Sequence, residues 1–150
     1  MALRGYNSGL ERTINVDSLN PSEYDNTRHD LFLKEIVDRK IDIPDFPIDL
    51  SEYNLIPKCE SEGKNGKRCD GDIIAIPKSG KGRALLMEFK SYRPDGENLQ
   101  KAINQMNIIG NEIADKLDTE VEAYLIFNEY GKLNFIPNGT YKPSRMFMHH

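Results

Sequence analysis

The sequence predicts an α/β domain, a mixed β-sheet flanked by helices in the order helix, strand, strand, strand, helix, strand. Three observations predict it. From Glu97 to Leu117 the apolar positions Leu99, Ala102, Ile103, Met106, Ile109, Ile113 and Leu117 recur every three or four residues, the stripe of a long amphipathic helix. Just before it, Asp70 to Ile76 and Arg83 to Lys90 read as two strands joined by a loop containing Gly80 and Gly82. Just after it, Val121 to Phe127 is a short apolar run of strand length. A hairpin followed by a crossover helix and a further strand gives a mixed sheet covered by helices.

The elements follow in order. Residues 1–20 show no period and read as an N-terminal arm, leaving 21–150 as one domain. After Asn20-Pro21-Ser22, the stretch Asp25 to Lys40 places Leu31, Leu33, Ile36 and Val37 at helical spacing. Pro44, Pro47 and Pro57 break Asp42 to Pro57 into an extended connector, whose end, Glu52 to Cys59, suits a first strand. Pro94-Asp95-Gly96 stops the strand that ends at Lys90, and Asp95 is a good N-cap for the long helix. Lys132 to Ile136 pairs with Val121 to Phe127 through a turn at Tyr130-Gly131.

Composition narrows the function classes. The 150 residues suffice for one buried core, and 38% hydrophobic with 29% charged residues is globular rather than disordered. No run approaches the roughly 18 to 20 apolar residues of a membrane span. Met1 to Glu11 lacks the apolar stretch of a signal peptide, so a cytoplasmic location is expected. The net charge of −4 does not favour nucleic acid, yet Lys58, Lys64, Lys67, Arg68, Lys78, Lys81 and Arg83 cluster in sequence, in loops expected to flank the site. Two cysteines, Cys59 and Cys69, are too few for a structural zinc site. They are expected as reduced thiols, or, in a hyperthermophile, as a disulfide if adjacent strands place them face to face.

The hairpin carries the chemistry. If its loop centres near Gly80, opposed residues have numbers summing to about 160, so Asp72 faces Glu88 and Asp70 faces Lys90. Alternation puts Asp70 with Asp72, and Glu88 with Lys90, on shared faces. Carboxylates gathered this way repel unless a cation lies between them, and Mg²⁺ accepts one or two protein carboxylates together with substrate phosphate. Lys90 would orient or help deprotonate an attacking water, or neutralise charge building on phosphorus.

The stretch Cys69 to Lys90, CDGDIIAIPKSGKGRALLMEFK, resembles the PD-(D/E)XK nuclease superfamily, with Asp72 as the first acid and Glu88-Phe89-Lys90 as E-x-K. The likeness spans about Asp25 to Phe127 and implies an αβββαβ, restriction-endonuclease-like core. It also implies phosphodiester hydrolysis of nucleic acid, DNA favoured and endonucleolytic, dependent on Mg²⁺ with Mn²⁺ as a substitute. Asp72 and Glu88 would hold the metal, with Asp70 competing for the role of Asp72, since no proline precedes either. The family often adds a glutamate from the first helix, for which Glu35 is the candidate, and a glutamine after the lysine, matching Gln105 better than Gln100. Lys67, Arg68, Lys78, Lys81 and Tyr92 are the candidate nucleic-acid contacts, and a homodimer would let two sites reach both strands. A viral or mobile-element origin is compatible with this reading. Two other classes stay open: a non-catalytic nucleic-acid-binding module, and a protein-interaction module on the same fold.

Overall fold

The computed structural model describes residues 13–17, 19–62 and 68–144, with backbone alone at 20, 60–62 and 68–70. Its elements are β1 (Asn20–Pro21), α1 (Arg28–Val37), β2 (Tyr53–Glu62), β3 (Arg68–Pro77), β4 (Ala84–Lys90), α2 (Gly96–Leu117), β5 (Val121–Glu129) and β6 (Lys132–Tyr141). Among the described residues the six strands form one sheet in chain order. Neighbours are antiparallel except β4 and β5, which α2 joins in parallel. The α/β class and the mixed sheet flanked by helices are those expected from the sequence.

Alternation along the central strands builds two cores. Ile74, Ile76, Ala84, Leu86, Ala123 and Leu125 face one way, against Ala102, Met106, Ile109 and Ile113 of α2. Ile73, Ala75, Leu85, Met87, Phe89 and Ile126 face the other, against Leu33 and Ile36 of α1 and Ile43 of the connector. Burial on both faces explains why β4 reads as a nearly continuous apolar run. The β3–β4 register is Ile73↔Met87, Ile74↔Leu86 and Ala75↔Leu85, so every pair sums to the expected 160.

Several boundaries differ from expectation. The first helix begins at Arg28 because the Thr27 side chain caps it, accepting from the Asp30 amide. It ends near Asp38, where Arg39 turns to φ 60°. The N-terminal arm is in part a component of the domain. Ile14 is buried, its amide donates to the Gly80 carbonyl at 2.8 Å, and Asn20–Pro21 pairs with β2. Residues 1–12 lie outside the described residues. The cysteines do not face each other either. Cys59 stands opposite Gly71 and is a buried free thiol, while Cys69 stands opposite Ser61. No helix among the described residues is long and apolar enough to cross a membrane.

Candidate active site

The site forms where the β3–β4 ladder stops. Beyond Ile73↔Met87 the strands no longer pair backbone to backbone. Each strand instead offers an amide to the other's carboxylate. The Phe89 amide donates to Asp72 Oδ2 at 2.8 Å, and the Asp72 amide donates to Glu88 Oε1 at 3.3 Å. These two bonds bring the Asp72 and Glu88 carboxyl groups close enough for each to shift the other's titration. Gly71 lets β3 lie this close to α2, because a Cβ there would come within 3.3 Å of Ile113 Cδ1 and of Ile74.

The two acids are in opposite electrostatic states. Burial, followed by repulsion from Asp72, pushes the Glu88 carboxyl well above the usual range, opposed by the nearby Lys90 charge. Burial would raise Asp72 too, but hydrogen bonds from His29, Glu88 and the Phe89 amide outweigh it and hold Asp72 below the usual range. The pair therefore shares one proton, with Asp72 as the ionised member.

Lys90 ends β4, half-buried and paired with Phe127 of β5. Among the described residues no carboxylate or carbonyl holds its ammonium, and its charge is near enough to Glu88 to oppose the rise of that carboxyl. Asp72, Glu88 and Lys90 thus share one end of the sheet.

A residue not anticipated from the sequence joins them. His29, in the first turn of α1, places Nε2 3.2 Å from Asp72 Oδ2 and Nδ1 2.9 Å from Asp30 Oδ1. The hydrogen bond to Asp72, against the opposing effect of burial, raises the His29 pKa to about 9. It is an imidazolium at neutral pH and donates to both acids. Helical spacing carried the signal, since His29, Leu33 and Ile36 share one face.

Other expected site residues lie elsewhere. Glu35 is exposed on α1 and does not join the group, being 200° around the helix from buried Leu33 at 3.6 residues per turn. Gln105 is exposed on α2, and among the described residues no hydrogen bond joins it to Asp72, Glu88 or Lys90. Lys78 and Lys81 occupy the turn at the other end of β3 and β4, roughly 20 Å of extended chain from Asp72. They do not flank the carboxylates, because a loop joining two strands lies at the end opposite to the strands' other termini. Tyr92 follows β4 on the site's side and is 61% exposed. The side chains of Asp70 and Arg68, and all of Lys67, lie outside the described atoms. The backbone puts Arg68 four residues before Asp72 on β3.

The donor chemistry suits a hard, oxygen-preferring ion. Two carboxylates converge from separate strands and repel unless a proton or a cation joins them. Among the described residues no group of three or more His, Cys, Asp or Glu side chains forms a ready cage. An ion here would rest on Asp72 and Glu88, with water and substrate completing its shell, as Mg²⁺ commonly does. Comparison with family models, with curated proteins and with solved structures finds no match to this chain.

Proposed function

We propose that this protein is a metal-dependent nuclease that hydrolyses phosphodiester bonds in nucleic acid, with DNA the favoured substrate. The observation that carries the reading is the meeting of Asp72 and Glu88, from neighbouring strands, at the point where the ladder opens beside Lys90. The αβββαβ order and the Glu88-Phe89-Lys90 motif support placing the chain on a PD-(D/E)XK, restriction-endonuclease-like fold.

Asp72 and Glu88 would hold Mg²⁺, or Mn²⁺ in its place. When bound, such an ion polarises the scissile phosphate and lowers the pKa of a coordinated water. The protein's own residues supply the rest. The Phe89 amide and His29 fix one oxygen of Asp72, so the carboxylate is oriented before substrate arrives. Lys90, uncommitted to another described side chain, is free to orient the attacking water and to offset charge developing on the phosphoryl oxygens. Tyr92, exposed just beyond it, can stack on a base or sugar of a bound strand.

The test is cleavage of plasmid, linear duplex and single-stranded DNA in Mg²⁺, Mn²⁺ or EDTA. Cleavage should require a divalent ion and disappear in Asp72→Asn and Glu88→Gln. Lys90→Met should lose about 10²- to 10⁴-fold in rate, the usual worth of a positioned proton-transfer group. Glu35→Ala and Gln105→Ala should cut at the parental rate. A Glu88→Gln protein as active as the parent would remove the carboxylate pair from the chemistry. Salt-dependent binding without cleavage under any ion would favour a binding module instead.

A further inference from the structure

Behind His29 lies a second layer of charge that neither the fold's cores nor the carboxylate pair requires. Asp30 is 4% exposed and, with Thr119, is one of the two buried polar residues among those described. Its Oδ1 accepts from His29 Nδ1. Its Oδ2 accepts from the Asp25 amide and from Lys58 Nζ, the latter at 2.7 Å. Lys58 Nζ also donates to the Glu23 carbonyl at 2.9 Å and to Asp25 Oδ2 at 3.2 Å, which uses all three of its protons.

The backbone under Lys58 is unusual. Between Pro57↔Ile73 and Cys59↔Gly71 the register places Lys58 across from Asp72, yet its φ is 48°. A lysine in the left-handed region in the middle of a strand is strained, and glycine would relieve that strain. The twist turns the Lys58 carbonyl out to Ser22, which donates to it from its amide at 2.9 Å and its hydroxyl at 3.0 Å. It also leaves the ammonium at Asp30, beneath α1. The side-chain contacts offset the backbone cost.

We propose that Lys58 and Asp30 are positioning residues, a strut from β2 to α1 that holds the His29 ring against Asp72. Neither side chain is hydrogen-bonded to Asp72, Glu88 or Lys90. They act through His29, as carboxylates behind metal-site histidines and acids fix ring orientation elsewhere. Their bearing on catalysis rests on the nuclease reading; the geometry of the strut does not.

Two readouts separate these. Lys58→Gly removes the ammonium while easing the backbone, Lys58→Arg keeps a cation, and Asp30→Asn keeps the shape without the charge. Mn²⁺ affinity measured by calorimetry should fall about 10- to 100-fold in Lys58→Gly and Asp30→Asn, the usual cost of losing an outer partner. Lys58→Arg should restore most of it. Urea unfolding identifies variants folded at the assay temperature, and only those are compared. The ¹⁵N-edited imidazole spectrum reads the strut without reference to catalysis. In the parent both His29 ring N–H protons should be protected from exchange, and in Asp30→Asn, whose neutral amide oxygen is a weaker acceptor, the Nδ1 proton should exchange faster. Parental Mn²⁺ affinity in folded Lys58→Gly would overturn the proposal, and so would an unchanged His29 spectrum in Asp30→Asn. If the parent itself binds no Mn²⁺, the nuclease reading fails, and the His29 spectrum alone decides on the strut.

Discussion

Replacing Gly110 by alanine tests how β6 is tied to the rest of the molecule. In the middle of a helix this exchange ordinarily stabilises by about 0.5–1 kcal/mol, because alanine loses less backbone freedom on folding. Here a Cβ would lie 2.4 Å from Tyr141 Cδ2, 2.6 Å from Cε2 and 2.8 Å from Cγ, far inside van der Waals contact. The ring cannot swing aside cheaply. Its hydroxyl donates to Asn107 on the same helix and accepts from Asn138 Nδ2 at 2.9 Å. Overpacking of this kind costs typically about 1–3 kcal/mol, and each hydrogen bond lost on displacing the ring adds about 0.5–1.5 kcal/mol. The clash outweighs the helix gain, so Gly110→Ala should destabilise by about 1–3 kcal/mol. For a protein of this size that is a fall of several degrees in Tm. In a Tyr141→Ala background the sign should reverse, with the alanine stabilising by about 0.5–1 kcal/mol. A double-mutant cycle by urea unfolding measures both arms. If Gly110→Ala stabilised the parent as much as the Tyr141→Ala protein, the packing of β6 on α2 described above would be wrong.

Two further predictions concern titration and reactivity. The Asp30 carboxyl is lowered from 3.8 to about 2, because its bonds from Lys58, His29 and the Asp25 amide outweigh burial. It should contribute stability that is complete above pH 3.8 and is lost as the pH falls through about 2. His29 has the opposite sign. Its pKa is raised from 6.5 to about 9, so its contribution is complete below pH 6.5 and is lost as the pH rises through about 9. Urea midpoints measured across this range should decline on the alkaline side in the parent and much less in His29→Gln; parallel curves would contradict the imidazolium clamp. Burial pushes the Cys59 thiol up to about 12. In a Cys69→Ser protein, Cys59 should therefore resist an aromatic disulfide reagent until urea unfolds the chain. Rapid stoichiometric labelling of the native protein would show that the thiol is not buried.

The parts of this molecule that were legible in the sequence are those governed by local periodicity. The stripe from Leu99 to Leu117 gave α2, and the two glycines between Ile76 and Ala84 gave a hairpin whose 160-sum register brings Asp72 to Glu88. What escaped was set by contacts between distant segments. Ile14 sits in an arm too short and irregular to show a period, yet it fills the core beside Ile76 and Leu117. Lys58 lies in a stretch that reads as ordinary strand, and only its pairing with Asp30, 28 residues earlier, accounts for its backbone. Glu35 is a candidate only through the resemblance, which implies a glutamate from the first helix, and its angular position on α1 turns it from the sheet. His29 occupies the correct face, and following the spacing of Leu33 and Ile36 back by one turn would have found it. The placement of Lys78 and Lys81 beside the site failed on elementary strand length.

This organisation divides labour in the site among its elements. β3 and β4 each contribute one acid, and the end of their ladder supplies the opening. α1 supplies the imidazolium that neutralises Asp72, and the strained turn of β2 supplies the ammonium that neutralises Asp30. Charges therefore alternate from Lys58 through Asp30 and His29 to Asp72, which lets several half-buried ionised groups coexist at one place in the fold.

The most direct measurement is the anomalous density of a crystal soaked in Mn²⁺. The account predicts a peak between the Asp72 and Glu88 carboxylates, at about 2.0–2.2 Å from an oxygen of each, and no such peak in Glu88→Gln. A soaked crystal with no density between those two side chains, or with Mn²⁺ bound elsewhere in both proteins, would contradict it.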